Sequence, residues 1–218
     1  MKKKRLRLTT DSTGTQRFPN RIAGREFTGI NQGWVSDITY YPIGDRSYYL
    51  TLIMDLYSRK VVGYHASASL STEQTTLPAL RQAIQERGVD SIERLIFHSD
   101  GGGQYYSKSF VSFTSKHQIR NSMSYQILEN AQAERLMGII KNKYLQHYRP
   151  RSLTELAAGL SRAVRMYNQQ KPHGSLENKN PDQFERELHL KSPSIMWRTP
   201  HYISTPVTHI STLMTTTR

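Results

Sequence analysis

Three extended segments before residue 70 constrain the fold more than any other feature of the sequence. The stretch "WVSDITYYP" alternates from Trp34 onward, with Val35, Asp37 and Thr39 on one face. A turn at Gly44 separates it from the long apolar run "YYLTLIMDLYS", and "KVVGYHASA" follows directly. Because the connections between these segments are short, they predict three strands of an antiparallel meander.

Strands and helices alternate in the next part of the chain. "LSTEQTTLPALRQAIQERG" predicts a helix with a Ser71–Gln74 capping box, and "SLTELAAGLSRAVRMYNQQ" predicts one with a Ser152–Glu155 box. Between them, "RLIFHSD" and "RNSMS" predict strands, whereas "SKSFVSFTSKH" and "NAQAERLMGIIKNKYL" predict helices. The order β-β-β-α-β-α-β-α-α predicts an α/β fold in which helices cover a mixed sheet.

The charge of the chain indicates the class of its partner. The 218 residues include 30 Lys and Arg against 17 Asp and Glu, which gives a formal net charge of +13. Such an excess favours binding to polyanions such as nucleic acids. No apolar run approaches the length of a membrane helix, and no apolar segment follows the basic start, so we expect neither a membrane span nor a secretory signal. The absence of cysteine excludes disulfides and thiolate metal sites.

Composition divides the chain into three parts. Residues 1–29 carry many Lys and Arg without apolar periodicity, and they predict a basic, flexible N-terminal segment. Residues 30–188 hold the predicted strands and helices and form the predicted core. Residues 189–218 are rich in Ser, Thr and Pro and are interpreted as a C-terminal tail.

Three acidic residues stand where carboxylates need an explanation. Asp37 lies in the middle of the first predicted strand, where a charge is costly without a partner. Asp100 ends the fourth strand, and Glu134 lies on the third helix, on one polar face with Lys141. If the first and fourth strands are neighbours, the two aspartates meet near one edge of the sheet, and Glu134 can point towards them.

Carboxylates crowded in this way repel one another unless cations neutralise them. Their oxygen ligands suit Mg²⁺ or Mn²⁺, and two such ions can activate water and stabilise a leaving oxygen at phosphorus. Bare backbone after the aspartate would let nucleic acid approach, at Gly101, Gly102 and Gly103. His98 lies on the same strand face as Asp100 and is expected to border the site.

Each residue also fits an ordinary structural role. Asp100 fits a turn, Glu134 a solvated helix charge, and His98 a buried core histidine. Asp55, in "IMDLYSRK", precedes a tight turn, and we expect it to cap that turn or to pair with Arg59.

Five motifs together resemble one family. "WVSDITYY", "LTLIMDLYSRKVVGY", "IFHSDGGGQYYS", "ENAQAERLMGIIKNKYL" and "YNQQKPHGSLENKNPDQFE" are similar to the catalytic core of insertion-sequence transposases related to retroviral integrases, over residues 31–187. The resemblance implies an RNase H-like fold: a mixed five-stranded sheet, three antiparallel strands and then two parallel ones, flanked by helices. It also implies a DDE site that binds two Mg²⁺ or Mn²⁺ ions for DNA end cleavage and strand transfer, at Asp37, Asp100 and Glu134.

The same resemblance implies DNA contacts and partners. Lys141 matches a lysine that the family places near the DNA end, and we expect Arg135 and Lys143 to contact phosphates. The implied partners are the element ends, target DNA and further copies of the chain on that DNA. The implied location is the bacterial cytoplasm, at the nucleoid when the chain is bound to DNA.

The sequence departs from the family in three places. The segment between Asp100 and Glu134 is slightly shorter than usual, and Lys143 replaces a glutamate. Relatives carry a helix-turn-helix region ahead of the core, whereas the residues here resemble only the linker after it. A truncated chain and a separate helix-turn-helix partner polypeptide are both open interpretations.

Three alternative functions fit parts of the pattern. An RNase H-like nuclease that cleaves without joining would use the same carboxylates. An inactive DNA-binding remnant of a transposase would account for the missing recognition region. A basic ribosome-associated protein would account for the charge but leaves the carboxylates without a role.

Overall fold

The structure, a computed structural model, describes residues 17–124 and 127–191. Most of the predicted N-terminal segment, two residues of the loop before the third predicted helix, and nearly all of the predicted tail lie outside the described residues. Within them, no helix is long and apolar enough to cross a bilayer.

A mixed five-stranded sheet forms the centre of the fold. Its strands are β1 (Gly33–Ile43), β2 (Arg46–Asp55), β3 (Val61–Ser67), β4 (Ile96–Ser99) and β5 (Arg120–Met123). The spatial order is β3-β2-β1-β4-β5, with β1, β2 and β3 antiparallel and with β4 and β5 parallel to their neighbours. The predicted sheet, with three antiparallel strands followed by two parallel ones, is confirmed.

Seven α-helices follow or flank the strands in the described residues. They are α1 (Thr76–Arg87), α2 (Gly103–Tyr106), α3 (Lys108–Lys116), α4 (Ala131–Ile139), α5 (Gln146–Tyr148), α6 (Leu153–Gln170) and α7 (Pro181–Lys191). A π-helical segment, Ile140–Leu145, joins α4 to α5, so the third predicted helix is continuous but widens in the middle.

The two faces of β2 divide the core into two layers. Leu52 and Met54 pack with the buried side chains of α4 and α6, whereas Ile53 packs with those of α1 and α3. This alternation follows from the period of two along a strand, and it places helices on both faces of the sheet. Gly63 on β3 lets α1 approach closely, since a Cβ there would lie 2.4 Å from the carbonyl oxygen of Ala79.

The predicted capping boxes have different outcomes. Ser71 does not cap α1, which begins at Thr76; its carbonyl instead accepts a turn hydrogen bond from the Gln74 N–H. Ser152 does cap α6, since its Oγ accepts from the Glu155 N–H at 3.2 Å. The first prediction is wrong because the Ser71 backbone forms a separate turn before the helix.

Helix α7 was missed by the sequence interpretation, although a local signal for it exists. Asn180 Oδ1 accepts from the Gln183 N–H at 2.8 Å, and Gln183 Oε1 accepts from the Asn180 N–H at 3.2 Å. Pro181 occupies the first helical position, where its missing N–H costs nothing. The sequence "NPDQ" is therefore a capping box with proline at the favoured position.

The described part of the N-terminal segment lies on the core. The Arg21 N–H donates to Ser122 Oγ at 2.8 Å, and the Arg21 Nε donates to the Asn121 carbonyl at 3.2 Å. Ile22 and Phe27 pack against the α4–α6 layer. Residues 21–27 are thus fixed to β5 and to the core.

Candidate active site

The register of two parallel strands brings the two aspartates to the same end of the sheet. Ser36 of β1 lies opposite Ser99 of β4, and each serine is followed directly by an aspartate, Asp37 or Asp100. Asp37 Oδ1 accepts from the Ile38 N–H at 2.8 Å, and Asp100 Oδ1 accepts from the Gly102 N–H at 3.1 Å. Both side chains are partly buried, and one oxygen of each carboxylate already has a backbone donor.

Glu134 reaches this region because the start of its helix is attached to β1. Asn130, the residue before α4, is buried, and its Nδ2 donates to the Ser36 carbonyl at 3.1 Å. Glu134 lies one turn further along the helix and is exposed. Its charge contributes to the raised pKa of Asp37, so the two carboxylates lie within electrostatic range of each other.

The electrostatics of Asp37 reflect its burial first and the neighbouring negative charges second. Burial raises its pKa to about 7, with further contributions from the charges of Asp100 and Glu134. The Ile38 N–H and the Lys141 ammonium oppose this increase. Burial likewise raises the pKa of Asp100. Each aspartate is therefore destabilised in its ionised form unless a cation arrives.

The carboxylate oxygens of Asp37, Asp100 and Glu134 are suitable ligands for a divalent metal, although the three side chains do not lie in a compact group. Carboxylate oxygens are the ligands that Mg²⁺ and Mn²⁺ prefer, and the unbalanced negative charge favours a cation. In the part of the chain that the structure describes, no three His, Asp or Glu side chains stand close enough together to hold a metal ion. The metal site at Asp37, Asp100 and Glu134 thus stays a prediction.

The glycines after Asp100 have a local role in the structure. A Cβ on Gly102 would lie 3.0 Å from Asp100 Oδ1 and 3.2 Å from Gln104 Oε1. Glycine at this position therefore leaves room for the Asp100 carboxylate to turn back onto its own backbone. Gly103 begins α2, and Gly101 connects the strand to this turn.

Tyr105 contacts Ser36, the residue before Asp37, and was not identified from the sequence. It is fully buried, and its hydroxyl lies 2.9 Å from Ser36 Oγ. Because the Ser36 hydroxyl donates to the Leu52 carbonyl, the Tyr105 hydroxyl donates to Ser36. Burial raises the pKa of Tyr105 well above its ordinary value, and the charges of Asp100 and Asp37 add to this, so the ring stays neutral beneath the site.

His98 lies in the interior. It has no exposed surface, its Nδ1 is 2.8 Å from Ser122 Oγ, and burial lowers its pKa to about 4 despite the charge of Glu129. The histidine is therefore neutral at physiological pH and joins β4 to β5. The structure places it in the core and not on a surface that a substrate can reach.

The three predicted DNA-contacting cations fall into two environments. Lys141 Nζ donates to the Tyr40 carbonyl at 2.7 Å and to Thr39 Oγ1 at 3.3 Å, and its charge acts on Asp37. Arg135 and Lys143 are exposed, and their charges act on Lys171 instead. Only Lys141 is held beside the aspartates by contacts that the structure describes.

Asp55 has the structural role predicted for it. It is fully buried, and its Oδ1 accepts from the N–H groups of Tyr57 and Ser58 at 2.9 and 3.0 Å. Its Oδ2 accepts from the Asn31 N–H at 2.6 Å and from Trp34 Nε1 at 3.3 Å. Asp55 therefore caps the β2–β3 turn.

Comparison with protein families identifies the matched region as an integrase core. One family model described as "Integrase core domain" matches residues 28–126, and a second of the same description matches residues 115–181. Together they span the sheet, α4 and α6, and therefore all three carboxylates.

The similar curated proteins come from bacterial insertion sequences. The insertion element IS600 uncharacterized 31 kDa protein of Shigella sonnei is 30% identical over 192 residues, covering 86% of this chain and 70% of that protein. The putative transposase InsK for IS150 of Escherichia coli is 26% identical over 198 residues, covering 87% and 67%. Transposase InsF for IS3A of E. coli is 30% identical over 164 residues, covering 73% of this chain and only 56% of that protein.

Solved structures with the same fold are retroviral integrases. The HTLV-2 integrase catalytic core domain in complex with magnesium has a TM-score of 0.57 and 24% identity, covering 71% of this chain and 95% of that one. A chain of the simian T-cell lymphotropic virus intasome has a TM-score of 0.63 and 19% identity, covering 94% and 66%. These likenesses establish the RNase H-like fold.

The transposase relatives do not favour the nuclease or the inactive remnant. With the integrase core models, they cover the strands and helices that carry Asp37, Asp100 and Glu134. The chain belongs to the integrase-like transposases of bacterial insertion sequences and carries their DDE catalytic domain.

Proposed function

We propose that Asp37, Asp100 and Glu134 carry out metal-dependent cleavage of DNA at the ends of a mobile element and its transfer to target DNA. The observation that supports this best is the register of β1 and β4, which places Asp37 and Asp100 at one end of adjacent parallel strands. The contribution of Glu134 to the raised pKa of Asp37 supports the third assignment.

The three carboxylates would hold two Mg²⁺ or Mn²⁺ ions, and the magnesium in the HTLV-2 integrase core supports this choice of metal. When bound, such ions activate water for hydrolysis and neutralise charge on the attacking and leaving oxygens. Asp37 and Asp100 are held by their backbone donors, whereas the exposed Glu134 is free to move towards them. Asn130 keeps the helix of Glu134 against β1, and Lys141 is positioned to contact a phosphate.

We further propose the partners and organisation of the working protein. Residues 30–188 form the catalytic core, with residues 1–29 and 189–218 as appended segments. The DNA partners are the element ends and the target. The chain acts as a homo-oligomer on DNA in the bacterial cytoplasm, and the oligomeric forms of HTLV-2 integrase support this assembly. A separate helix-turn-helix polypeptide would recognise the element ends.

The test is a strand-transfer assay on pre-cleaved element ends with Mg²⁺ or Mn²⁺. The wild-type chain should form joined product, and chelation of the metal should abolish it. Asp37→Asn, Asp100→Asn and Glu134→Gln should each reduce product by at least ~10³-fold while DNA binding is retained, since several kcal/mol of transition-state stabilisation depend on the metal.

The control for these variants is Asp55→Asn, which changes a buried aspartate away from the site. It should lower stability, because three backbone donors and the Trp34 indole lose a charged acceptor, yet the folded fraction should still join DNA. Retained activity in any one of the three site variants would remove that residue from the site.

A further inference from the structure

Four cations from three separate segments lie close enough together for their charges to act on one another or on His173. We call Arg59, Arg135, Lys143 and Lys171 the basic cluster. Arg59 belongs to the turn between β2 and β3, Arg135 and Lys143 belong to α4 and its π-helical continuation, and Lys171 follows the end of α6. Their separation in sequence means that only the tertiary structure brings them together.

Specific contacts hold these three segments in place. The Arg59 Nη1 donates to Gln132 Oε1, which connects the β2–β3 turn to α4. The Asn168 side chain accepts from the Val61 N–H and donates to the Val61 carbonyl, both at 2.9 Å, which connects the end of α6 to β3. The His173 ring packs edge-on against Tyr167 at 5.3 Å, which orients the loop after Lys171.

The cluster is poorly neutralised by the protein. Burial lowers the pKa of Lys171, and the charges of Lys143 and Arg135 lower it further. Burial also lowers the pKa of His173 to about 4, with contributions from Lys171, Arg59 and Arg135. Among the described residues, every charge that acts on the pKa of Lys171 or of His173 is a cation.

Asp55 is an acid whose charge acts on Arg59, but its oxygens already accept hydrogen bonds from other groups. The charge of Asp55 favours the charged form of Arg59, although burial and the charge of Arg135 lower the Arg59 pKa overall. Asp55 is fully buried and accepts four hydrogen bonds from other groups. It therefore gives the basic cluster no exposed counter-charge.

The basic cluster is open to a ligand. Arg135 and Lys143 are exposed, and Arg59 and Lys171 are partly exposed. A groove of about 500 Å³ is lined by Arg59 together with Arg25, Glu26 and Gln132. The exposure of the four cations shows that each side chain is accessible from solvent.

We propose that the basic cluster binds a phosphate of the DNA strand. This phosphate is a neighbour of the scissile phosphate and not the scissile phosphate itself. The choice of DNA rests on the proposed function. Arg135 directly follows Glu134 in α4, with Cα atoms about 3.8 Å apart, so the basic cluster and the carboxylate region adjoin on neighbouring faces of one helix. Guanidinium groups such as those of Arg59 and Arg135 suit the geometry of phosphate oxygens.

The test is the salt dependence of DNA binding by the full chain without metal. Fluorescence anisotropy with a random-sequence duplex over a KCl series gives the slope of log affinity against log salt concentration. Lys171→Gln should make that slope shallower by about 0.9, the value for one lost phosphate contact, and Lys171→Arg should restore it. Lys116→Gln removes the same charge from α3 on the other face of the sheet and should leave the slope nearly unchanged.

Two results would overturn the proposal. One is an unchanged slope for Lys171→Gln, and the other is an equal change for Lys116→Gln. If Lys171→Gln does not fold, Lys143→Gln on an exposed helical position replaces it, with the same expected change. DNA binding in the presence of chelator does not require catalysis. A failed strand-transfer assay together with a shallower slope for Lys171→Gln would therefore reject the proposed function and leave the basic cluster in place. Active strand transfer with an unchanged slope would reject the basic cluster alone.

Discussion

Helix α4 adjoins two regions of opposite charge. Acidic side chains gather in one region, and basic side chains gather in the other. Beside Glu134, burial and neighbouring carboxylates raise the pKa of Asp37 to about 7, so the acid is pushed towards its neutral form. Beside Arg135, burial and neighbouring cations lower the pKa of Lys171, so the base is pushed towards its neutral form. The first region favours a cation and the second an anion.

A third group of charges shows what happens when ions are paired inside the fold. Burial alone would raise the pKa of Glu185, but hydrogen bonds at 2.5 and 2.8 Å and the charge of Arg87 lower it. Lys60 adds ion pairs to Glu185 and Asp182. These charges are satisfied by one another and attach α7 to the core. Compared with the two regions beside α4, this paired group shows that charges without a partner mark the sites that favour a ligand, whereas paired charges do not.

The largest effect is expected from breaking the connection between α4 and β1. Asn130→Ala removes the hydrogen bond to the Ser36 carbonyl and should lower the free energy of unfolding by about 1–3 kcal/mol. Strand transfer should fall ~10²-fold, because a small displacement of Glu134 spoils the geometry of the site. The salt slope of DNA binding should not change, because the basic cluster keeps its cations.

Val164→Ala is the matched control for this variant. Val164 is a buried core residue of α6, so its truncation costs stability without touching β1 or Glu134. The two variants would be compared by denaturant unfolding and by strand-transfer yield. An equal loss of strand-transfer activity in Asn130→Ala and Val164→Ala would show that Asn130 has a purely structural role.

Magnesium should stabilise the carboxylate region selectively. At a concentration ten times the dissociation constant, binding adds about 1.4 kcal/mol, or ~3–6 °C in the Tm of the wild-type chain. Asp37→Asn should lose this response, whereas Lys171→Gln should keep it. Thermal unfolding with and without Mg²⁺ measures the difference, and an equal rise in Asp37→Asn would contradict metal binding at this site.

In the metal-free protein, the contribution of Asp37 to stability should fall as the pH rises towards neutrality. The pKa of Asp37 is 3.8 ordinarily and about 7 in the fold, so between these values the folded state holds a proton that the unfolded state has lost. The stabilisation is complete below pH ~4 and is lost as the pH rises to ~7, on the order of 4 kcal/mol for this residue. Asp55 and Asp100, whose pKa values are also raised, act in the same direction, whereas His98 and His173, whose pKa values burial lowers to about 4, act in the opposite direction.

Denaturant unfolding in chelator at pH 5, 6, 7 and 8 measures this dependence. Asp37→Asn removes this contribution, so its stability relative to the wild type should rise between pH 5 and pH 8. A difference between the two proteins that does not change with pH would show that the pKa of Asp37 is not raised in the fold.

The smallest effect is expected at Lys141. Its ammonium group already interacts with Asp37 and donates to two β1 oxygens, so it has less free charge for DNA than the basic cluster. Lys141→Ala should therefore make the salt slope shallower by less than ~0.9. A change as large as that of Lys171→Gln, in the same anisotropy titration, would show that both lysines contact phosphate equally.

Local patterns were sufficient to predict much of the site. Asp37 and Asp100 are recognisable because a charged residue inside or at the end of an apolar strand is conspicuous, and the strand order puts them side by side. Asn130 precedes Glu134 by one helical turn in the sequence, but its burial and its bond to Ser36 depend on how α4 docks. Tyr105 reads as an ordinary aromatic core residue, so its contact with Ser36 could not be predicted.

The amino-acid sequence by itself determined the order of strands and helices, the apolar faces that form two core layers, and the family to which the chain belongs. These follow from periodicity and from motifs that are local in the chain. The tertiary structure alone decided that Lys141 faces Asp37 while Arg135 and Lys143 join Arg59 and Lys171. The physical reason is that electrostatic environment depends on distance in space, and segments more than a hundred residues apart meet only through packing of α4 and α6 against the sheet.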